Sequence, residues 1–311
     1  MTDSLAASRA ERRGMPKYLY HYTSIQALKS IVEDRYVWAN AAGYSNDPKE
    51  FRYAMKMVGT EFWSLSAHWP KTAEWRKLRS DLELWFEVAH TRPLYLFCLS
   101  ESPNHLSQWC RYCPEDGGYA IWFATRRLAR QLKAQGFRLV RCEYDPEVQR
   151  RRIRATLSGA LDGLPDLTRF GGDETKLWEV TSPIQLDLIE RIYTLVAAYK
   201  HPAFQKEKEW RAVKLDRYHH LQKNFHIKGT VMVPHFELKL NAVSGLIPIQ
   251  HVTVGPGLDQ DLAAYGLEDF LEEDGIHVTV SNASYKQLRI LQSKSRLSSR
   301  RARSARAARI L

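Results

Sequence analysis

Apolar positions along the chain follow two rhythms, and the switches between them outline its elements. KYLYHYT (Lys17 to Thr23) is rich in aromatics and predicts a strand. Ser24 then stands as an N-cap, and Ile25, Leu28, Ile31 and Val32 return at helical spacing. RYVWA (Arg35 to Ala39) predicts a second short strand. AAGYSNDPKE (Ala41 to Glu50) has turn chemistry, with Pro48 suited to a first helical turn. Phe51, Met55, Val58 and Phe62 space a longer helix, and another is expected from Ala73 to Ala89. PLYLFCLS (Pro93 to Ser100) is a continuous apolar run, the pattern of a buried strand.

Further along, ESPNHLSQWCRYCPEDGG predicts a loop with a short helix, and GYAIWFA (Gly118 to Ala124) a strand. Thr125 is expected to cap a basic helix ending at Gly136, before the strand FRLVRCEYD (Phe137 to Asp145). From Pro146 to His201 the pattern is helical, with a break near Gly163 to Asp173. KEWRAVKL (Lys208 to Leu215), the region Phe225 to Leu240 and HVTVG (His251 to Gly255) read as strands. A helix over about Asp259 to Glu272 and a strand HVTV (His277 to Val280) close the body. Strands and helices mix without strict alternation, so the pattern favours an α+β fold, a mixed central sheet with flanking helices.

Charge divides the chain further. The net charge is +11, yet the segment from Arg289 to Leu311 holds eight Lys or Arg and no acid. Without them the chain has 38 basic and 35 acidic residues, so the body is close to neutral. The expected organisation is a disordered arm over 1–16, a single α+β domain over 17–288 and a disordered Arg-rich tail over 289–311. Such a tail suits phosphate contacts with nucleic acid or an anionic membrane, and equally a solvated end without a partner. No apolar run reaches the length of a membrane span, the best being IYTLVAAY (Ile192 to Tyr199). The N-terminal MTDSLAASRAERRG lacks an apolar signal-peptide core, and four cysteines in 311 residues make no disulfide framework. Both point to a reduced, cytoplasmic protein.

Four segments carry groups able to do chemistry. YHYTS (Tyr20 to Ser24) places His21 between two tyrosines, a fixed hydrogen-bonding group beside flat rings, or a satisfied core histidine. SNDPKE reads first as a turn, with Asp47 and Glu50 able to point into a cleft. CLSES and SQWCRY put the Ser100 hydroxyl at a strand end, and Trp109 and Tyr112 on one helical face, where core packing is the simpler use. Cys110 and Cys113 form one C-x-x-C with no second pair, and even with His105 added they do not make a structural zinc site, so no metal is expected. QKEKEWR (Gln205 to Arg211) is the most informative. As one strand it sends Glu207, Glu209 and Arg211 to the same face, where paired carboxylates suit a developing oxocarbenium ion and a proton in transit. A solvated edge strand of alternating charge has the same pattern.

Taken in order, LYHYTSIQALKSIV, WANAAGYSNDPKE, FCLSES with QWCRY and GGYAIWF, EKEWRAV and the closing HVTVGPGLDQDLAAYGLEDFLEEDGIHVTVSNASY resemble the bacterial family known as domain of unknown function 2971. The resemblance spans about residues 17 to 290. Gln108 and Arg111 depart from it, standing where the family usually has Met before the Trp and His before the Tyr.

The layout is more distantly similar to ADP-ribosyltransferases, including DarT-like toxins, which begin with a Tyr-His-aromatic-Thr stretch. That resemblance implies an ADP-ribosyltransferase-like fold and NAD as substrate. His21 and Tyr22, Ser100, Trp109 and Tyr112 would form the NAD site, with Glu209 at the ribose and Glu207 at the acceptor. It also implies a toxin or phage-defence effector with an antitoxin or effector partner. Two alternatives belong to other classes: a non-catalytic nucleic-acid or nucleotide-binding module, and a metal-dependent nuclease using Asp47, Glu50, Glu207 and Glu209.

Overall fold

A computed structural model of the chain describes residues 14–44, 49–87, 94–216, 223–243 and 245–294. The turn at Ser45 to Pro48 with Asp47, most of the N-terminal arm and the tail beyond Lys294 lie outside the described residues. The strands are β1 (Tyr18–Thr23), β2 (Tyr36–Ala41), β3 (Leu94–Ser100), β4 (Tyr119–Ala124), β5 (Arg138–Arg141), β6 (Glu209–Leu215), β7 (Asn224–Lys228), β8 (Val231–Lys239), β9 (Ile249–Val254) and β10 (His277–Val280). The helices are α1 (Ile25–Asp34), α2 (Lys49–Ser66), α3 (Ala73–Glu87), α4 (Leu106–Tyr112), α5 (Thr125–Ala134), α6 (Pro146–Leu161), α7 (Glu174–Ala197) and α8 (Gln260–Leu271). Pairing is mostly antiparallel with β9 and β10 parallel, so the chain is α+β with a mixed sheet and flanking helices, as its pattern implied. Among the described residues no helix is long and apolar enough to cross a membrane.

The chain makes two compact units. The first takes the chain up to Val37, Leu99–Gln135 and the part from Lys239 onward. Its strands run β10–β9–β4–β1, with Ser100 at the end of β3 opposite Tyr20. β1 and β4 are in register from Tyr18↔Ala124 to Thr23↔Tyr119. Alternation then gives the two faces different tasks. Leu19, Ile121, Phe123 and Val252 are buried on one; Leu28 and Val32 of α1 and Leu128 and Leu132 of α5 are buried too. Tyr20, Tyr22 and Ala120 lie on the other and cluster with Trp109 of α4 and with Leu288, which sits in a helical stretch over 285–294. Ser24 caps α1 as expected, its hydroxyl accepting from Ala27 N at 3.2 Å. Arg35 does not begin a strand: it closes α1 in the left-handed region (φ 59°) and pairs with Asp274 at 2.6 Å. Thr125 is the first residue of α5 rather than its cap, because Ala124 N is already taken by Pro248 O.

The second unit comprises Trp38–Cys98 and Gly136–Leu238, with its strands in the order β5–β6–β3–β2–β8–β7. Its core joins α2, α3, α6 and α7 through Val58, Phe62, Leu78, Leu82, Ile153, Leu157 and Ile192, the residues of their apolar stripes. The apolar region from Phe225 resolves into the β7–β8 hairpin, which turns at Gly229 with φ 62°.

Candidate functional site

Among the described residues, a dense group of buried charge lies in the second unit, where α7 runs out toward β6. Two backbone bonds fix this segment: Glu143 N donates to Ala198 O at 2.8 Å, and Lys200 N donates to Glu143 O at 3.0 Å. Gln149 of α6 is fully buried and holds both segments, its amide donating to Lys200 O at 2.9 Å and to Glu143 O at 2.6 Å. His201 then caps a 3-10 turn, Pro202–Glu207, accepting from Ala203 N at 3.2 Å. Lys208 reverses the backbone at φ 45° and ψ 50°. Only at Glu209 does β6 begin, its N–H donating to Tyr144 Oη at 2.8 Å. The strand expected from Lys208 is therefore corrected at its start. Glu207 lies before the reversal, so strand alternation does not relate it to Glu209.

The two carboxylates meet all the same, on Lys200. Its Nζ lies 2.6 Å from Glu207 Oε2, 2.5 Å from Glu209 Oε2 and 3.2 Å from Glu50 Oε1. Arg211 completes the group. Its Nε donates to Glu209 Oε1 at 2.6 Å, one terminal nitrogen to Glu50 Oε2 at 2.6 Å and the other to Ala197 O at 2.8 Å. Glu50 enters from the first turn of α2, where a carboxylate also complements the helix dipole. Lys200, Glu207, Glu209 and Arg211 are all buried.

Burial works against charge on every member, and partners decide the outcome. For Glu209 the cations of Arg211 and Lys200 outweigh desolvation and bring the carboxyl down to about 2. For Lys200 desolvation is outweighed by Glu209, Glu50 and Glu207, so the ammonium is held more firmly than an ordinary lysine. Three carboxylates against two cations leave a formal excess of one negative charge. Desolvation, then the nearby Glu209 carboxylate, raise the pKa of the Cys98 thiol of β3 well above the usual range. Of this group, sequence reasoning had Glu50, Glu207, Glu209 and Arg211. It missed Lys200, Gln149 and Tyr144, whose only signal is a lysine closing the apolar run LVAAYK.

The remaining expected site residues belong to the first unit. His21 pairs with Ile121 and so faces opposite to Tyr20 and Tyr22. Tyr22 packs edge-on against Trp109 at 4.7 Å, donates its hydroxyl proton to Ser102 O at 2.6 Å and accepts from His105 N at 3.2 Å. Trp109 is 0% exposed, with Nε1 donating to Asn104 Oδ1 at 2.8 Å. Its ring is enclosed within the cluster it forms with Tyr20, Tyr22 and Leu288. Ser100 Oγ accepts from Ser102 N at 3.1 Å, and half-buried Tyr112 packs on the Tyr22–Trp109 cluster with Cys110 and Cys113. Burial pushes the Cys113 thiol up to about 12.

No curated protein and no solved structure matches the chain. A family model described as "Protein of unknown function (DUF2971)" matches residues 108–212, from Gln108 on α4 to Ala212 on β6. The matched stretch holds Trp109 and Tyr112 of the first unit and Lys200, Glu207, Glu209 and Arg211 of the second. Over residues 108–212 the chain is thus similar to the DUF2971 family that its motif order resembled.

Proposed function

We propose that the chain is an NAD-dependent enzyme of the ADP-ribosyltransferase type, with Glu209 facing the reacting ribose and Glu207 the acceptor. In that reaction the bond from ribose C1′ to the nicotinamide nitrogen breaks, nicotinamide leaves with the electron pair, and an acceptor oxygen or nitrogen bonds to C1′ and loses its proton. The sugar is cationic at the transition state, and a preorganised negative charge stabilises it. One observation supports the assignment above others: both Glu209 oxygens are held, by Arg211 and Lys200, and the carboxyl is ionised at every working pH. Glu207 on the same ammonium supplies the second carboxylate. A toxin or defence role in the cytoplasm, with an antitoxin or effector partner, belongs to the same proposal.

The nuclease alternative asks Asp47, Glu50, Glu207 and Glu209 to gather round a metal ion. Glu50, Glu207 and Glu209 do gather, but round Lys200, whose ammonium would have to leave before a magnesium ion could enter. That geometry favours the transferase.

NAD labelled in its adenylate half, incubated with the purified protein and cell extract, tests the proposal. Transfer of label to protein or nucleic acid with release of nicotinamide is expected. Absence of both, together with no NAD-induced shift in melting temperature, overturns it and leaves the five charges as an ion network that holds the second unit together.

A further inference from the structure

In the first unit, four rings form one line across the sheet. Tyr20 stands opposite Trp122, Trp122 opposite His251, and His251 opposite His277, so β1, β4, β9 and β10 each contribute one ring to the same face. Ring centroids are 5.0, 5.1 and 5.3 Å apart along the line. Tyr18 thickens it, 5.6 Å from Trp122 and 5.8 Å from His251. Trp122 is fixed by its Nε1, which donates to Thr253 Oγ1 at 2.8 Å.

Tyr20, at one end, is buried and clusters with Leu288. Exposure then rises along the line, through half-buried Trp122 and His251 to exposed His277. A row of rings open on a sheet face is poor core material, since their apolar area stays in water. It is good stacking material, because every nucleobase presents a π-face to a ring. Burial, then His277 and Lys17, lower the pKa of His251, which keeps that imidazole neutral and able to stack at physiological pH.

The surrounding charge has the sign a phosphate chain requires. Lys17 is exposed and places its ammonium 4.9 Å from the centre of the Tyr18 ring. The helical stretch 285–294, whose Leu288 packs with Tyr20, leads directly into a sequence with six Arg and no acid from residue 295 to the end.

We propose that the Tyr18–Trp122–His251–His277 face is a platform on which the bases of single-stranded nucleic acid stack, with Lys17 beside it for a phosphate. The platform is independent of the transferase reading.

Fluorescence anisotropy with the full chain and a labelled oligothymidylate of about a dozen nucleotides tests it, with a duplex of the same length as competitor. The single strand is expected to bind more tightly than the duplex. H251A/H277A should weaken it about tenfold or more, in line with the loss of one or two stacked bases, without a change in melting temperature. His277→Ala alone, at an exposed position, should weaken it measurably even if the double variant folds poorly. A chain ending at Lys294 should bind with a shallower salt dependence and keep its preference for single strands. Equal affinity for duplex and single strand, or ring variants that bind like the parent, would overturn the platform and leave only an unspecific basic tail.

Discussion

At the scale of single residues, Glu209 decides most. Its folded pKa of about 2 lies below the ordinary value of 4.5. A depressed carboxyl stabilises the folded state above the unfolded pKa, and that contribution is lost as pH falls through 4.5 toward 2. The size of the shift corresponds to about 3 kcal/mol. Urea midpoints measured from pH 7 to pH 2 should fall across that window, and fall less in E209Q. The same substitution leaves Arg211 and Lys200 short of a buried partner, so it should also cost about 3 kcal/mol at pH 7. Loss of NAD turnover in E209Q therefore counts only at a temperature where the variant is folded; there, a fall of roughly a hundredfold or more is expected. Gly255 makes a packing argument of the same sharpness. A Cβ on it would sit 2.6 Å from the Trp109 ring and 2.8 Å from Gly118 O, and neither the enclosed indole nor the backbone can give way cheaply. Gly255→Ala should cost about 3 kcal/mol, read as a drop in thermal midpoint with a change in near-ultraviolet circular dichroism.

At the scale of elements, the join between the 3-10 turn Pro202–Glu207 and β6 is the informative one. Lys208 takes a left-handed backbone that a side chain disfavours, and this single residue turns Glu207 back onto the ammonium that Glu209 also meets. Lys208→Gly should be close to neutral, because relief of strain offsets the added chain entropy. Lys208→Val, β-branched and poorly suited to positive φ, should cost about 1 to 2 kcal/mol in equilibrium unfolding. The β1–β4 pair illustrates a second rule. Its register puts His21 on the face opposite Tyr20 and Tyr22, so neighbours in the motif YHY serve different surfaces.

At the scale of the whole molecule, charge is unevenly spread. Six of the eleven excess positive charges lie beyond Lys294, in a sequence of Ser, Ala and Arg with few residues worth burying. A chain ending at Lys294 should melt at the temperature of the parent, since Leu288 and the helical stretch to 294 are retained. Its binding to single-stranded polyanions should lose up to about four units of salt slope, one counterion-release increment for each arginine removed. A salt titration of both forms measures the difference directly.

Where local rhythm sets structure, the sequence sufficed. The aromatic strand of β1, the Ser24-capped α1, the long α6 and α7 with the break between them, and the mixed α+β arrangement follow from side-chain period and caps, which act within a few residues. Motif order, which spans much more of the chain, carried the family resemblance, and the family model matches it over 108–212. The charge cluster was legible only in part. Acids and Arg211 stood out by type, but Glu50 and Arg211 are 161 positions apart, and no local period brings such residues together. Lys200 follows the apolar run IYTLVAAY with no local feature to mark it, and Trp109 suited core packing and, by the resemblance, an NAD site alike. Tertiary structure alone decided that the first is the buried counterion of three carboxylates and the second is enclosed, because burial and long-range charge pairing depend on which surfaces the fold brings into contact.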